Sequence, residues 1–77
     1  MFVAVMYYNE TAKAYCGRSY TYYTQLLDLQ PLDAVLVPVG ERNELKEAVV
    51  IDVDIPIETI PTDILPRIKE IKGGDQR

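Results

Sequence analysis

The sequence has no tryptophan and no histidine, and it has a single cysteine and a single phenylalanine. Without histidine, the commonest general base and the commonest transition-metal ligand are both missing. Cys16 has no second thiol, which excludes an internal disulfide and a thiolate metal site. Neither it nor a serine has a histidine to activate it as a nucleophile. No metal, no cofactor and no enzymatic activity are therefore expected. No apolar run approaches the ~20 residues that a membrane span needs. Met1 leads straight into "FVAVMYY" with no basic region before it, so no membrane association is expected and the default setting is a reduced, cytoplasmic one.

At 77 residues there is room for one domain. A chain of this size buries only roughly 60–65% of its unfolded surface, so its core is small. The large apolar residues are mainly Val, Ile, Leu and Tyr, which suit a pleated, half-buried surface. Twelve acidic and eight basic side chains leave a net charge of −4. That balance disfavours non-specific binding to a phosphate backbone but leaves room for a local basic site. Arg18, Arg42 and Lys46 fall in the central half and Lys69, Lys72 and Arg77 near the C-terminus, and the ordinary reading of such charges is a solvated surface.

Periodicity predicts a β-rich chain. "FVAVMYY" is an apolar run of strand length bounded by Asn9. "NETAKAYCG" reads either as a helical turn around Thr11–Tyr15 or as a long hairpin loop ending at Gly17. In "SYTYY" a period-2 pattern sets Tyr20 and Tyr22 on one face and Thr21 and Tyr23 on the other. "DLQPLD" carries turn chemistry, with Pro31 presetting its φ and Asp33 able to bond back to the backbone. Val35, Val37 and Val39 share one face of the next strand, where Pro38 lacks an amide hydrogen and Gly40 opens the loop "GERNEL". In "KEAVVIDVDI" the expected inward residues are Val49, Ile51, Val53 and Ile55, with Asp52 and Asp54 facing water. The tail holds Pro56, Pro61 and Pro66. Its second half reads either as a helix over 64–72 capped by Asp63, or as a final strand over 67–72 with Ile68 inward. The expected fold is thus all-β or β-rich α+β: a small curled antiparallel sheet or open barrel of about five strands with a short C-terminal helix or strand. Residues 1–72 form the domain and 73–77 a disordered tail.

Asp52, Asp54 and Glu58 could be taken for a metal or acid–base cluster, but an outward acidic row is what a solvated strand face normally looks like. The six tyrosines all precede residue 24. Aromatics displayed on a sheet can stack nucleobases; the alternative is that Tyr20 and Tyr22 fill a core that has no tryptophan. Gly40 fits a bulge, a close backbone approach or an ordinary turn.

Taken in order, the "VAV" strand, "RSYTYY", "PLDAVLVPVGER" with its Val-Pro-x-Gly element, "EAVVIDV" and the proline- and isoleucine-bearing tail resemble the N-terminal DNA-binding domain of the primosomal replication-restart helicase (primosomal protein N′). The likeness runs over roughly residues 2–71. It implies a small β-rich fold that captures the three-prime end of a DNA strand, with a turn and strand in the tail. Carried over, the pocket falls on Tyr20 as the aromatic, Thr21 where the family has an acid, and Gly40; Leu32 and Val39 replace the family's glycine and aromatic. No P-loop is present, so the resemblance is to short stand-alone proteins of phages and conjugative elements of Gram-positive bacteria. It implies a non-enzymatic binding module of a mobile element for single-stranded DNA or a DNA end. Tyr20, Thr21 and Gly40 would form its site, and Arg18 and Arg42 would meet phosphates. The alternative is a protein-interaction or regulatory module on the same scaffold, its nucleotide pocket lost, with a host or element replication or conjugation protein as partner.

Overall fold

The computed structural model describes residues 1–72. Five strands build one sheet: β1 (Phe2–Asn9), β2 (Ala14–Thr24), β3 (Ala34–Val39), β4 (Glu44–Asp52) and β5 (Glu70–Ile71), in the order β3-β4-β1-β2-β5. Every neighbouring pair is antiparallel except β2 and β5, which run parallel. The sheet is mixed and open, and the expected all-antiparallel arrangement fails at this one pair. Its cause is the long return from β4, which brings the chain back beside β2 in the same direction. The expected tail over 73–77 lies outside the described residues. No helix among the described residues is long and apolar enough to cross a membrane.

Both hairpins close through residues at positive φ. In the first, Asn9 Oδ1 accepts from the Ala12 amide at 2.9 Å and Lys13 sits at φ 55°. In the second, Gly40 at φ 69° and Asn43 at φ 53° bracket the turn. The hairpin reading of "NETAKAYCG" holds, but the loop ends at Lys13 rather than Gly17, and Ala14 to Gly17 already lie inside β2. Past Met6↔Ser19 the register jumps to Tyr8↔Tyr15, so three residues of β2 oppose Tyr7. This wide bulge carries Gly17 at φ 96°.

One face of the sheet forms the core. Val3, Val5, Val35, Val37 and Val50 are each at most 2% exposed, and Ala48, Tyr22, Leu29 and Ile71 pack with them. The inward placement of Val35 and Val37 agrees with the pattern in β3. The expected inward set of β4 is corrected: Ala48 and Val50 are buried, whereas Val49 is half-buried and Ile51 is exposed. The partner strand decides this. Val50 pairs with Val5 and Ala48 with Tyr7, and a bulge at Ile51 lets Asp52 pair with Ala4. Val53 and Ile55, beyond that bulge, are half-buried, and Val53 packs against the core.

The helix over 64–72 does not form. The tail makes two single 3-10 turns, Ile57–Thr59 and Leu65–Arg67, before β5. Asp63 caps neither; Ile64 precedes the second turn without a side-chain cap. Pro61 and Pro66 break up any longer helix, and Ile68 is extended at ψ 128°, which leads the chain into β5. The strand reading therefore holds for Glu70–Ile71. Thr24 anchors this seam although it is polar and fully buried. Its hydroxyl donates to the Ile71 carbonyl at 3.1 Å and accepts from the Leu26 amide at 3.0 Å. Its main chain bonds to Met1 in both directions, so no polar group of Thr24 is left to water.

Candidate ligand-binding cleft

The open sheet leaves two edges facing each other. On β2 the Tyr23 amide donates to the Lys69 carbonyl at 2.9 Å, and β5 pairs only with Tyr23 and Thr24. Upstream, Arg18 to Tyr22 has no strand on that side. Main-chain groups two residues apart point the same way, so those of Ser19 and Thr21 face outward from this edge. Across the gap runs β3, whose Pro38 carbonyl accepts from the Tyr22 hydroxyl at 2.8 Å. Since the N and carbonyl of one strand residue point to the same side, Pro38 turns its main chain away from β4, and its missing amide hydrogen costs no ladder bond.

Between the two edges lies an open cleft of about 370 Å³. It brings together Arg18, Tyr20, Thr21 and Gly40, four of the five residues expected from the sequence. Arg42 does not line it; it sits exposed in the β3–β4 turn. Tyr20 and Tyr22 share a face and divide the two readings between them: Tyr22 is 4% exposed and belongs to the core, while Tyr20 is 39% exposed at the mouth. The side chain of Thr21 starts from the opposite face by strand alternation, so its nearest offering to the cleft is its main chain. A Cβ on Gly40 would meet nothing within 4 Å, so its φ, rather than a close approach, is what favours glycine there.

The rings at the mouth are ordered. Tyr7 and Tyr20 stack with centroids 4.5 Å apart and planes 15° from parallel. The Arg18 guanidinium lies 5.9 Å from the Tyr20 centroid and the Lys46 ammonium 5.7 Å from that of Tyr7, both within cation–π range. Tyr7 and Tyr22 share a hydroxyl–hydroxyl bond of 2.8 Å. Because the Tyr22 hydroxyl donates to Pro38, Tyr7 is the donor to Tyr22. Burial first, and then the bond with Tyr7, push the Tyr22 phenol well above its ordinary value, so it stays a donor.

The electrostatics of the cleft run against those of the chain. Arg18, Arg67 and Lys69 line it and no carboxylate does, although the protein carries −4 overall. Lys69 also donates to the Gly40 carbonyl. With the Tyr22–Pro38 bond, this makes two hydrogen bonds that span the cleft to Pro38 and Gly40 on its far side. Sequence reasoning missed Tyr7, Arg67 and Lys69. The period of β1 could have found Tyr7, which follows Val3 and Val5 on the same face. Arg67 and Lys69 gave no such signal, because only the fold of the tail brings them over the edge of β2.

The acidic trio reads as surface. Asp52 and Asp54 are exposed, and Asp52 Oδ1 accepts from the next amide at 2.9 Å. Among the described residues no group of three or more carboxylates or cysteines is placed to hold a metal ion. The cleft thus offers a stacking surface, outward main-chain groups and three cations. In comparisons with known proteins, no family model, no curated protein and no solved structure matches this chain.

Proposed function

We propose that this protein is a non-enzymatic binding module whose cleft receives the end of a single-stranded nucleic acid. The observation that carries this reading is the exposed Tyr20 ring, held flat against Tyr7 beside Arg18, Arg67 and Lys69 with no carboxylate among them. A terminal base stacks on Tyr20, a contact worth about 1–3 kcal/mol. The cations meet its phosphate, and the outward main chain of Ser19 and Thr21 bonds the terminal sugar. The bonds that span the cleft from β2 and the tail to Pro38 and Gly40 favour an end over a passing strand. The resemblance to the helicase end-binding domain supports the same assignment. With it comes the setting, a cytoplasmic protein of a phage or conjugative element of a Gram-positive bacterium. Few phosphates are within reach and the chain is acidic, so affinity is weak and falls with salt.

Fluorescence anisotropy with labelled single strands ending in a three-prime hydroxyl or a three-prime phosphate tests this. Binding at low salt that favours the hydroxyl end is the expected result. Absence of binding at low salt overturns the reading, and equal binding to both ends removes end recognition from it.

The unpaired edge of β2 favours a second reading, a protein-interaction module that adds a partner strand along Arg18–Tyr22. Thr21 and Leu32 at the family's acid and glycine positions, and the net negative charge, point the same way. Hydrogen-exchange protection of the Ser19 and Thr21 amides by a host replication or conjugation protein, unchanged by nuclease, is its expected signature.

A further inference from the structure

We infer that the binding track continues past the cleft into a second subsite, where Lys46 and Arg18 hold the phosphate on the five-prime side of the second nucleotide from the end. This rests on the nucleic-acid reading and deepens it. A second hollow of about 460 Å³ shares Tyr7, Arg18 and Tyr20 with the cleft and adds Gly17 and Lys46. The shared tyrosine pair is thus a common wall. A base stacked against it from the cleft has its neighbour at the entrance of the hollow.

Three features build this hollow. The bulge in β2 sets three residues opposite Tyr7, and Gly17 within it leaves open space where a side chain would project. The stacked rings each carry one cation, Arg18 on Tyr20 and Lys46 on Tyr7. Glu10 is the single carboxylate of the lining, so two cations face one acid in a protein whose carboxylates outnumber its cations. A flat π surface with a positive charge on each ring fits a nucleic-acid phosphate beside a stacked base. An acidic peptide would meet the charges but have no use for the exposed Tyr20 ring.

The test is a length series of single strands with three-prime hydroxyl and five-prime phosphate ends, from one nucleotide to four, at low salt. Affinity is expected to rise about fivefold from one nucleotide to two and then to level off. Lys46→Gln removes most of that gain and lowers the salt slope for the dinucleotide by roughly 0.7, the share of one phosphate. Arg67→Gln, which lines only the cleft, weakens both lengths alike. Lys46 is exposed, so circular dichroism is expected to show an unchanged fold. Equal affinity for one and two nucleotides, or a Lys46→Gln variant that keeps the full gain, overturns the second subsite while leaving the cleft reading standing. Failure of every length to bind overturns both. A glutamate peptide of matched charge that competes as well as the dinucleotide overturns the phosphate assignment.

Discussion

Along β1 a single alternation builds two different surfaces. Val3 and Val5 are fully sealed, whereas Tyr7, the next residue on the same face, is half-buried at the mouth of the cleft. The neighbouring strands follow suit. Tyr22 is core and Tyr20 is mouth on β2; Val37 is core on β3; Val50 and Ala48 are core on β4, where Lys46 ends exposed. One end of the concave face is thus aliphatic and dry, and the other is aromatic, cationic and open. The same backbone geometry serves both, and residue type alone decides which end holds the fold and which can meet a ligand.

The largest break in that comparison is at the dry end. Val5→Asp places an unpaired carboxylate at a site with no solvent exposure on the central strand. At about 0.05–0.15 kcal/mol per residue, a chain of this length has roughly 4–12 kcal/mol of stability in total. A penalty above about 4 kcal/mol is expected to abolish the cooperative thermal transition. At the open end the corresponding change acts on binding instead. Tyr20→Ala is expected to weaken strand binding by about 1–3 kcal/mol, roughly 5- to 150-fold, with little effect on melting. Tyr20→Phe keeps the stack and most of the affinity. If Tyr20→Ala unfolds the protein, Tyr20 belongs with the core and the division is misplaced.

Tyr22 stands on the boundary, and a pH profile sharpens where it lies. Its phenol is pushed up by burial and by Tyr7, so the fold favours the neutral form. That stabilisation is complete below the ordinary tyrosine value of 10.0 and is lost as the pH climbs above it. Urea denaturation is therefore expected to give a flat stability up to about pH 9 and a decline beyond about pH 10. Tyr22→Phe is expected to cost about 1–2 kcal/mol at neutral pH, since the Pro38 carbonyl and the Tyr7 hydroxyl each lose a partner, and to flatten the alkaline decline. Tyr15, raised by its 2.5 Å bond to Glu47, acts in the same direction. Its ring is half-buried but its hydroxyl bond is exposed to solvent, so Tyr15→Phe is expected to leave most of the decline in place. An alkaline profile unchanged by Tyr22→Phe would mean that this hydroxyl is not part of the closed end.

These elements also mark what could be read from the chain. β3 was legible because Val35 and Val37 alternate cleanly and Gly40 opens the loop that follows. β4 was not, because Val49, Val50 and Ile51 are all apolar and support either parity. The choice lies with Ala48, a small residue paired with Tyr7, and a pairing is invisible in one strand. The tail stayed open between helix and strand, because Ile64, Ile68 and Ile71 also fit a helical spacing, which local pattern cannot separate from a proline-broken path that buries Ile71 beside β2. Tyr20, Thr21, Gly40 and Arg18 were legible as a group through the resemblance, and they do meet. Arg67 and Lys69 depend on the return of the tail, which no local pattern states.

The smallest predicted effect contrasts two turns. Gln30–Asp33 closes with the Asp33 amide bonding to the Gln30 carbonyl at 3.1 Å and with Asp33 Oδ2 accepting from the Gln30 amide at 3.0 Å. Pro31 leads this turn, and Leu32 follows at φ 79° with its side chain 83% exposed. A leucine there bears the left-handed strain with no burial to offset it. At the other turn Gly40 takes a similar φ without that strain. Leu32→Gly is therefore expected to raise stability by about 0.5–1 kcal/mol, the relief of strain exceeding the greater freedom of an unfolded glycine. Gly40→Ala is expected to lower it by about 1 kcal/mol although space is available. Both variants are expected to keep strand binding within twofold of the parent, since neither removes a ring or a cation. A loss of affinity in Gly40→Ala at unchanged stability would instead show that a ligand approaches the backbone at Gly40 closely enough to exclude a single methyl group.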